Sequence, residues 1–168
     1  MGHPRKLKNH YSSVRRPLDI ERIEREKKLK EEYGIKTKHE LRKIEFIWRN
    51  LRQRARKLIA EKDPEETKIL FKKIDDYCLC KENITFENIL ALKLTDILDR
   101  RLQSIVLKLG FAKTQLHSRQ LIVHKKIKIN DIIIFSPNYI VKKQEENHII
   151  LIQKPEKENQ KEKKDDKK

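Results

Sequence analysis

Apolar residues recur with a helical period through the first two thirds of the chain and with a period of two near its end. The clearest run is Leu41, Ile44, Trp48, Leu51, Ala55 and Leu58, spaced by threes and fours, which predicts one apolar stripe on a helix reaching about Ala60. Thr37 and Glu40 stand before it as a capping box: the threonine oxygen accepts from the N–H three residues on, and the glutamate reaches back. Upstream, residues 19–33 predict a sparser helix. Pro17 suits its first turn, Asp19, Glu21 and Glu24 lie early, and Gly34 is placed to end it. Downstream, Asp63 and Pro64 read as cap and first residue of a third helix, with Ile69, Leu70, Ile74, Tyr77 and Cys78 on its apolar side. The period breaks over residues 81–88, where Asn83 and Thr85 suit a turn.

From Thr95 the pattern tightens. Residues 95–101 and 102–109 predict one bent helix or two short ones, ended by Gly110. Thr114 caps a further helix over 115–124, with Leu116, Gln120, Leu121 and Val123 available for packing. Ile127-Lys128-Ile129 then alternates as a strand does, and Asn130-Asp131 suits a hairpin turn. Further short strands are expected at 132–135, 139–141 and 148–152, with a break at Ser136-Pro137. The fold class is therefore α+β: a mainly helical N-terminal region, then a small domain of two to three helices packed on short antiparallel strands. We divide the chain into an arm (1–16), a helical region (17–94), the α+β domain (95–152) and a tail (153–168).

Charge changes the picture. The 168 residues hold 42 Lys+Arg against 26 Asp+Glu, a formal +16, and only 36% of them are apolar. Such a chain buries a modest core, and its excess of cations points to a polyanionic partner. Residues 1–60 carry 19 basic and 8 acidic side chains, and 101–152 carry 9 and 3; between them, 61–100 carry 7 and 10. Two basic blocks thus flank a mildly acidic spacer, an arrangement that a merely solvated surface does not need. On the long helix, Arg42, Arg49, Arg52 and Arg56 fall together on one flank of the apolar stripe at ~100° per residue, with Lys43, Arg54 and Lys57 farther round. The arm, with Arg5, Lys6, Lys8, Arg15 and Arg16, has no period and reads as an extended basic strand able to follow a phosphate backbone. The tail is almost wholly Lys, Glu, Asp, Gln and Asn and reads as disordered.

Other chemistry is sparse. Cys78 and Cys80 have no second pair to complete a zinc site, and the histidines form no ligand pattern, so no metal and no cofactor is expected. With three glycines there is no glycine-rich cofactor loop, no carboxylate sits in a recognisable catalytic setting, and we expect no enzyme. The apolar stretches at 132–135 and 149–152 are too short to span a bilayer and no export signal is evident, so no membrane partner is expected.

The segment from Leu98 to Ile122 resembles the signature of the S-four RNA-binding domain. The resemblance rests on Arg101-Leu102, Lys108, Gly110-Phe111-Ala112, Thr114, Ser118-Arg119 and Leu121-Ile122, followed by His124, Ile127, Ile129-Asn130, Ser136-Pro137 and Tyr139-Ile140-Val141. In the N-terminal half, Gly2 to Leu7, Arg16-Pro17, Glu32-Tyr33-Gly34, Lys38 to Leu41 and Arg52 to Leu58 are similar to the archaeal and eukaryotic branch of the small-subunit ribosomal protein S-four family. Three places depart from that family's pattern, one of them Leu107, at a position more often aromatic or amphipathic. Lys125-Lys126 stands where a glycine usually follows the histidine, and Asn130-Asp131 replaces the usual Asn-Gly. Cysteines of an N-terminal zinc site found in some bacterial relatives are lacking, so that metal is not carried over.

The resemblance implies an S-four-type RNA-binding domain at 95–152 and a structural constituent of the cytoplasmic small ribosomal subunit. Such a protein binds small-subunit ribosomal RNA at a helical junction, nucleates assembly, supports translation, touches neighbouring small-subunit ribosomal proteins and lines the path by which messenger RNA enters. It also implies a C-terminal RNA surface of Arg101, Lys108, Thr114, Arg119, Gln120, His124, Lys125, Lys126 and Lys128. Beside that surface we place the N-terminal flank Arg42, Arg49, Arg52 and Arg56 and the arm residues Arg5, Lys6, Arg15 and Arg16. Arginine suits such sites because its planar fork holds two phosphate oxygens at once. Charge reversal at Arg101 or Arg119 is accordingly expected to weaken RNA binding without unfolding the chain. The alternatives are a ribosome-assembly factor of the same superfamily binding precursor ribosomal RNA, an RNA-modifying enzyme using this domain as an accessory, and a nonspecific basic DNA binder.

Overall fold

The computed structural model describes residues 11, 13–80 and 84–152. The predicted stripe forms the spine of the molecule, helix α2 (Lys38–Glu61), on which Leu41, Ile44, Leu51, Ala55 and Leu58 are buried. Trp48 is half-buried, and its indole N–H donates to the Leu92 carbonyl at 2.8 Å. Thr37 caps α2 by accepting from the Glu40 N–H, but the Glu40 carboxylate turns away from the cap and toward a distant part of the chain, so only half of the capping box forms.

Helix α1 (Ile20–Glu32) begins later than Pro17: Asp19 is its N-cap, accepting from the Arg22 N–H, and Pro17-Leu18 form a turn. The Arg22 guanidinium stabilises that turn by donating to the carbonyls of Arg16 and Pro17 at 3.0 and 3.1 Å. Helix α3 (Pro64–Asp76) starts where expected, yet its buried side is Leu70 and Ile74, while Ile69 is 64% exposed. The helix has rotated to put the pair four apart against α2, and Ile69 falls outside that seam. The expected turn at Asn83 lies outside the described residues. Thr85 then caps a short α4 (Phe86–Ala91), which packs on α2.

Residues 94–108 resolve into two short helices, α5 (Leu94–Asp99) and α6 (Leu102–Lys108), with α7 (Gln115–Val123) packed on α6. Leu121 is buried as expected on α7, but Leu116 and Val123 face outward. Strand β1 (Ile127–Ile129) is central in an antiparallel sheet of order β2-β1-β3, between β2 (Ile132–Ile133) and β3 (Ile149–Leu151). Ile127 and Ile129 enter the core, whereas Lys128, opposite Ile133 on one side and Ile150 on the other, shares their outward face. Asn130 and Asp131 both take positive φ (47° and 67°), as the two central residues of a tight primed hairpin turn must.

Strand β2 is two residues long rather than four. The strand expected at 139–141 is a single bridge between Ile140 and Arg101, because this segment crosses the end of α6 and does not run along β1. A short helix not expected from sequence, α8 (Lys143–Glu146), follows it. Among the described residues the buried apolar side chains form two clusters. One gathers α2, α3, α4 and α5 around Leu41, Ile44 and Ile89; the other gathers α6, α7 and the sheet around Leu102, Ile122 and Ile127. Among the described residues no helix is long and apolar enough to cross a membrane.

Candidate nucleic-acid interface

Cations concentrate where α7 ends and β1 begins. The helix closes in a Schellman pattern: the Lys125 N–H donates to the Ile122 carbonyl and the Lys126 N–H to the Leu121 carbonyl, both at 3.0 Å. That closure requires a left-handed residue, and Lys125 supplies it at φ 58°. The position favours glycine, since a Cβ there costs roughly 1–2 kcal/mol. The outcome is a corner with Gln120, His124 and Lys125 exposed and Lys126 and Lys128 half-buried. The Lys126 carbonyl is held by the Ile152 N–H at 2.7 Å, which ties the corner to the far edge of the sheet. At the other end of α7, Thr114 is the N-cap, its hydroxyl accepting from the His117 N–H at 3.1 Å, and Lys113 beside it is exposed. Lys108, at the end of α6, is exposed and pairs with Asp99 at 3.3 Å.

On α2 the four arginines of the predicted flank differ in freedom. Arg49 and Arg56 are exposed, and Arg49 pairs with Glu45 at 3.2 Å. Arg42 and Arg52 are half-buried, and the Arg52 guanidinium sits 4.7 Å over the Trp48 ring. Glu45 lies among these cations with its pKa raised, because burial outweighs the neighbouring Arg49, Arg42 and Arg22. Arg15 and Arg16 are exposed ahead of α1, and the Tyr11 ring packs edge-on against His39 at 4.4 Å near the start of α2. Arg5 and Lys6 lie outside the described residues.

Arg101 and Arg119 are both largely enclosed, with 0% and 18% of their side chains exposed. The Arg101 side chain is 0% exposed; its Nη2 donates to Asn138 Oδ1 at 2.6 Å and to Gln103 Oε1 at 3.2 Å, and lies 3.7 Å from a Glu40 oxygen. Burial pulls its pKa down to about 10 against the attraction of Glu40, with Arg119 adding to the fall, so it remains charged at neutral pH. Its Nε and Nη1 are buried with no hydrogen-bond partner among the described residues. Arg119 makes a two-pronged bridge to Glu40 at 2.8 and 3.0 Å, with only 18% of its side chain and 13% of the glutamate's exposed. Burial raises the Glu40 pKa, but the hydrogen bond and charge of Arg119, with the charge of Arg101, outweigh it and hold the carboxyl below its usual range. Both arginines therefore join α2 to the second core, and reversing either charge is expected to unfold the chain.

The rest of this joint is the loop at Tyr33 and Gly34 that ends α1. The Gln103 amide is buried and donates to the carbonyls of Tyr33, Gly34 and Gln115, while Ser118 Oγ donates to the Gln103 carbonyl at 2.6 Å. Gly34 takes φ 58°, and a Cβ on it would stand 2.8 Å from the Gln103 amide nitrogen. Glu40, Gln103 and Asn138 were not predicted. The one available signal was Glu40 itself, an acid in a strongly basic neighbourhood.

The family described as the S4 domain matches residues 100–147, which hold α6, α7, the sheet's first two strands and α8. The small ribosomal subunit protein uS4 of Ignicoccus hospitalis is 41% identical over 152 residues, covering 89% of this chain and 92% of that protein. This chain belongs to the uS4 family. The uS4 of Methanococcus vannielii is 40% identical over 89% of this chain and 86% of its own length, and that of Hyperthermus butylicus is 41% identical over 88% and 85%. The uS4 likeness therefore takes in α1 to α5 as well as the S4 domain.

Proposed function

We propose that this uS4-family chain is a non-catalytic, structural constituent of the small ribosomal subunit in the cytoplasm. In this reading it binds small-subunit ribosomal RNA at a helical junction, nucleates assembly and so supports translation. The observation that carries the proposal is 41% identity across 89% of the chain to a protein named for the small ribosomal subunit, which takes in the helical region together with the S4 domain. Neighbouring small-subunit proteins, and the path by which messenger RNA enters, are the further partners the family implies.

The RNA surface we propose is smaller than the sequence implied. It comprises His124, Lys125, Lys126 and Lys128 at the α7–β1 corner, with Gln120, Thr114 and Lys108 beside it. Arg42, Arg49, Arg52 and Arg56 form the α2 flank, and Arg5, Lys6, Arg15 and Arg16 form the arm. Junction RNA crowds phosphates together, and fixed cations offset that repulsion. The deep, narrow major groove of duplex RNA excludes side chains, so recognition rests on shape, phosphates and 2′-hydroxyls. Arg101 and Arg119 position the S4 domain against α2 and make no phosphate contact.

Sedimentation of tagged protein from cell extract tests the proposal, in moderate and then high salt. Retention in mature small subunits after the high-salt wash is expected. Recovery only in precursor particles, or free at the top of the gradient, replaces this reading with that of an assembly factor.

A further inference from the structure

Helix α2 has a second flank that RNA does not explain. Opposite the arginine row, α2 and α3 enclose a groove of about 820 Å³. It is lined by the apolar Phe46, Ile47 and Leu51 with the neutral amides of Asn50 and Gln53, and among the described residues Lys43, Arg54, Lys57 and Lys73 border it against a single acid, Glu66. Ile47 is 37% exposed although it sits midway along the longest helix of the described residues. Among the described residues Lys43, Arg54 and Lys73 have no ion-pair partner, while Lys57 is paired with Glu61 at 3.2 Å. From Lys43 to Lys57 the groove follows four turns of α2, a length of about 21 Å at 1.5 Å per residue.

We propose that this groove docks an acidic amphipathic helix of a neighbouring protein. The chain's own ends do not match it. Residues 153–168 bring no apolar side chain larger than Pro155, and residues 1–10 carry Arg5, Lys6 and Lys8 with no acid, the same sign as the rim. An RNA backbone satisfies the cations but gains nothing from Phe46 and Ile47, and a single aromatic ring is too little for a run of stacked bases. A helix of about 14 residues spans the groove. Its leucine-type side chains at i, i+3, i+4 and i+7 cover Phe46, Ile47 and Leu51, and glutamates on either side meet the lysine and arginine rim. The two flanks of α2 thus differ in chemistry: a row of forked arginines on one side, a mostly lysine border around Phe46, Ile47 and Leu51 on the other.

The test uses the full chain and a labelled 16-residue peptide bearing one leucine stripe flanked by glutamates, followed by fluorescence anisotropy at 150 mM salt. A second peptide of the same composition, rearranged to destroy the stripe, separates groove binding from attraction to a +16 protein. The expected result is at least tenfold tighter binding of the striped peptide, with that advantage lost in Phe46→Ser/Ile47→Ser. These neutral changes leave the rim charges in place, and a thermal melt checks that the variant is folded. Ile47→Ser alone, at an already exposed position, serves if the double variant does not fold. Equal binding of the two peptides, or an advantage that survives Ile47→Ser, overturns the proposal. The same variants keep wild-type affinity for ribosomal RNA, so failure here is distinct from failure of the RNA reading.

Discussion

The bridge between Arg119 and Glu40 separates a structural from an RNA-contact role most sharply, and Arg119→Ala is the informative change. The pair is two-pronged, at 2.8 and 3.0 Å, and almost enclosed. Removing the arginine leaves the Glu40 carboxylate with Arg101 at 3.7 Å as its remaining cation. Breaking a fully buried pair costs about 3–5 kcal/mol; allowing for the remaining exposure, about 2–3 kcal/mol is expected here. For a chain of this size that lowers Tm by about 5–10 °C. A double-mutant cycle with Glu40→Gln should return a coupling of about 2 kcal/mol, since the two side chains touch.

Acid provides an independent check on the same pair. The folded-state pKa of Glu40 lies below its usual value, so the bridge's contribution is fully present above ~4.3 and is lost as pH falls from there through the lowered folded value. Wild-type Tm should drop across that window more steeply than that of Arg119→Ala. Affinity of the folded variant for a ribosomal RNA junction, measured by filter binding below its Tm, should stay within twofold of wild type. A variant that melts like wild type yet loses tenfold in RNA affinity would refute the reasoning, making Arg119 a phosphate contact.

Three other outcomes follow from the same geometry. Lys125→Gly should raise stability by about 1 kcal/mol by relieving the left-handed Cβ, yet weaken RNA binding and flatten its salt dependence by up to ~0.9 in log–log slope, the share of one phosphate; gain or loss in both measurements together would contradict the split. Gly34→Ala should destabilise by at least ~2 kcal/mol in denaturant melts, because the methyl meets the Gln103 amide at 2.8 Å on a backbone already at φ 58°. Ile74→Ala should cost about 2–4 kcal/mol while Ile69→Ala costs less than ~0.5, since the first is fully buried between α3 and its neighbours and the second is mostly exposed.

What the sequence made legible was what is local. The α2 stripe shows because six apolar residues repeat over five turns, and the α7–β1 corner shows because its cations are consecutive in the chain. The α8 helix did not show: Lys143 to Glu146 is wholly polar and is held from a distance. Arg100 meets Glu146 at 2.9 Å, the Tyr139 hydroxyl donates to Glu145, and Lys143 reaches Asp75. Ile69 was misplaced on α3 because a helix with apolar residues at 69, 70, 74 and 77 has two candidate faces, and only the position of α2 chooses between them. The ion-pair partners of Arg101 and Arg119 stay hidden in the sequence for a related reason. A cation's role depends on whether an acid reaches it, and the acid that reaches Arg119 is 79 residues away in the chain.

The polar character of that joint has a consequence for binding. An apolar seam between α2 and the second core could slip by a residue at little cost, whereas one amide that must satisfy the carbonyls of Tyr33, Gly34 and Gln115 fits a single arrangement. Arg101 and Arg119 strengthen that constraint, since displacement strands two guanidiniums beside a lost carboxylate. For the RNA role proposed above, the α2 flank and the α7–β1 corner then meet RNA at a fixed separation, without first ordering one against the other. Each side chain or segment that need not be ordered on binding spares roughly 0.5–1.5 kcal/mol of affinity. A loosened joint should therefore weaken RNA binding mainly through the cost of realignment, leaving the number of phosphates neutralised, and so the salt dependence, unchanged. Loss of a cation from either surface changes both. Glu40→Gln compared with Lys126→Ala over a salt series measures that difference directly, and equal slopes for the two variants would remove the positioning role of the joint.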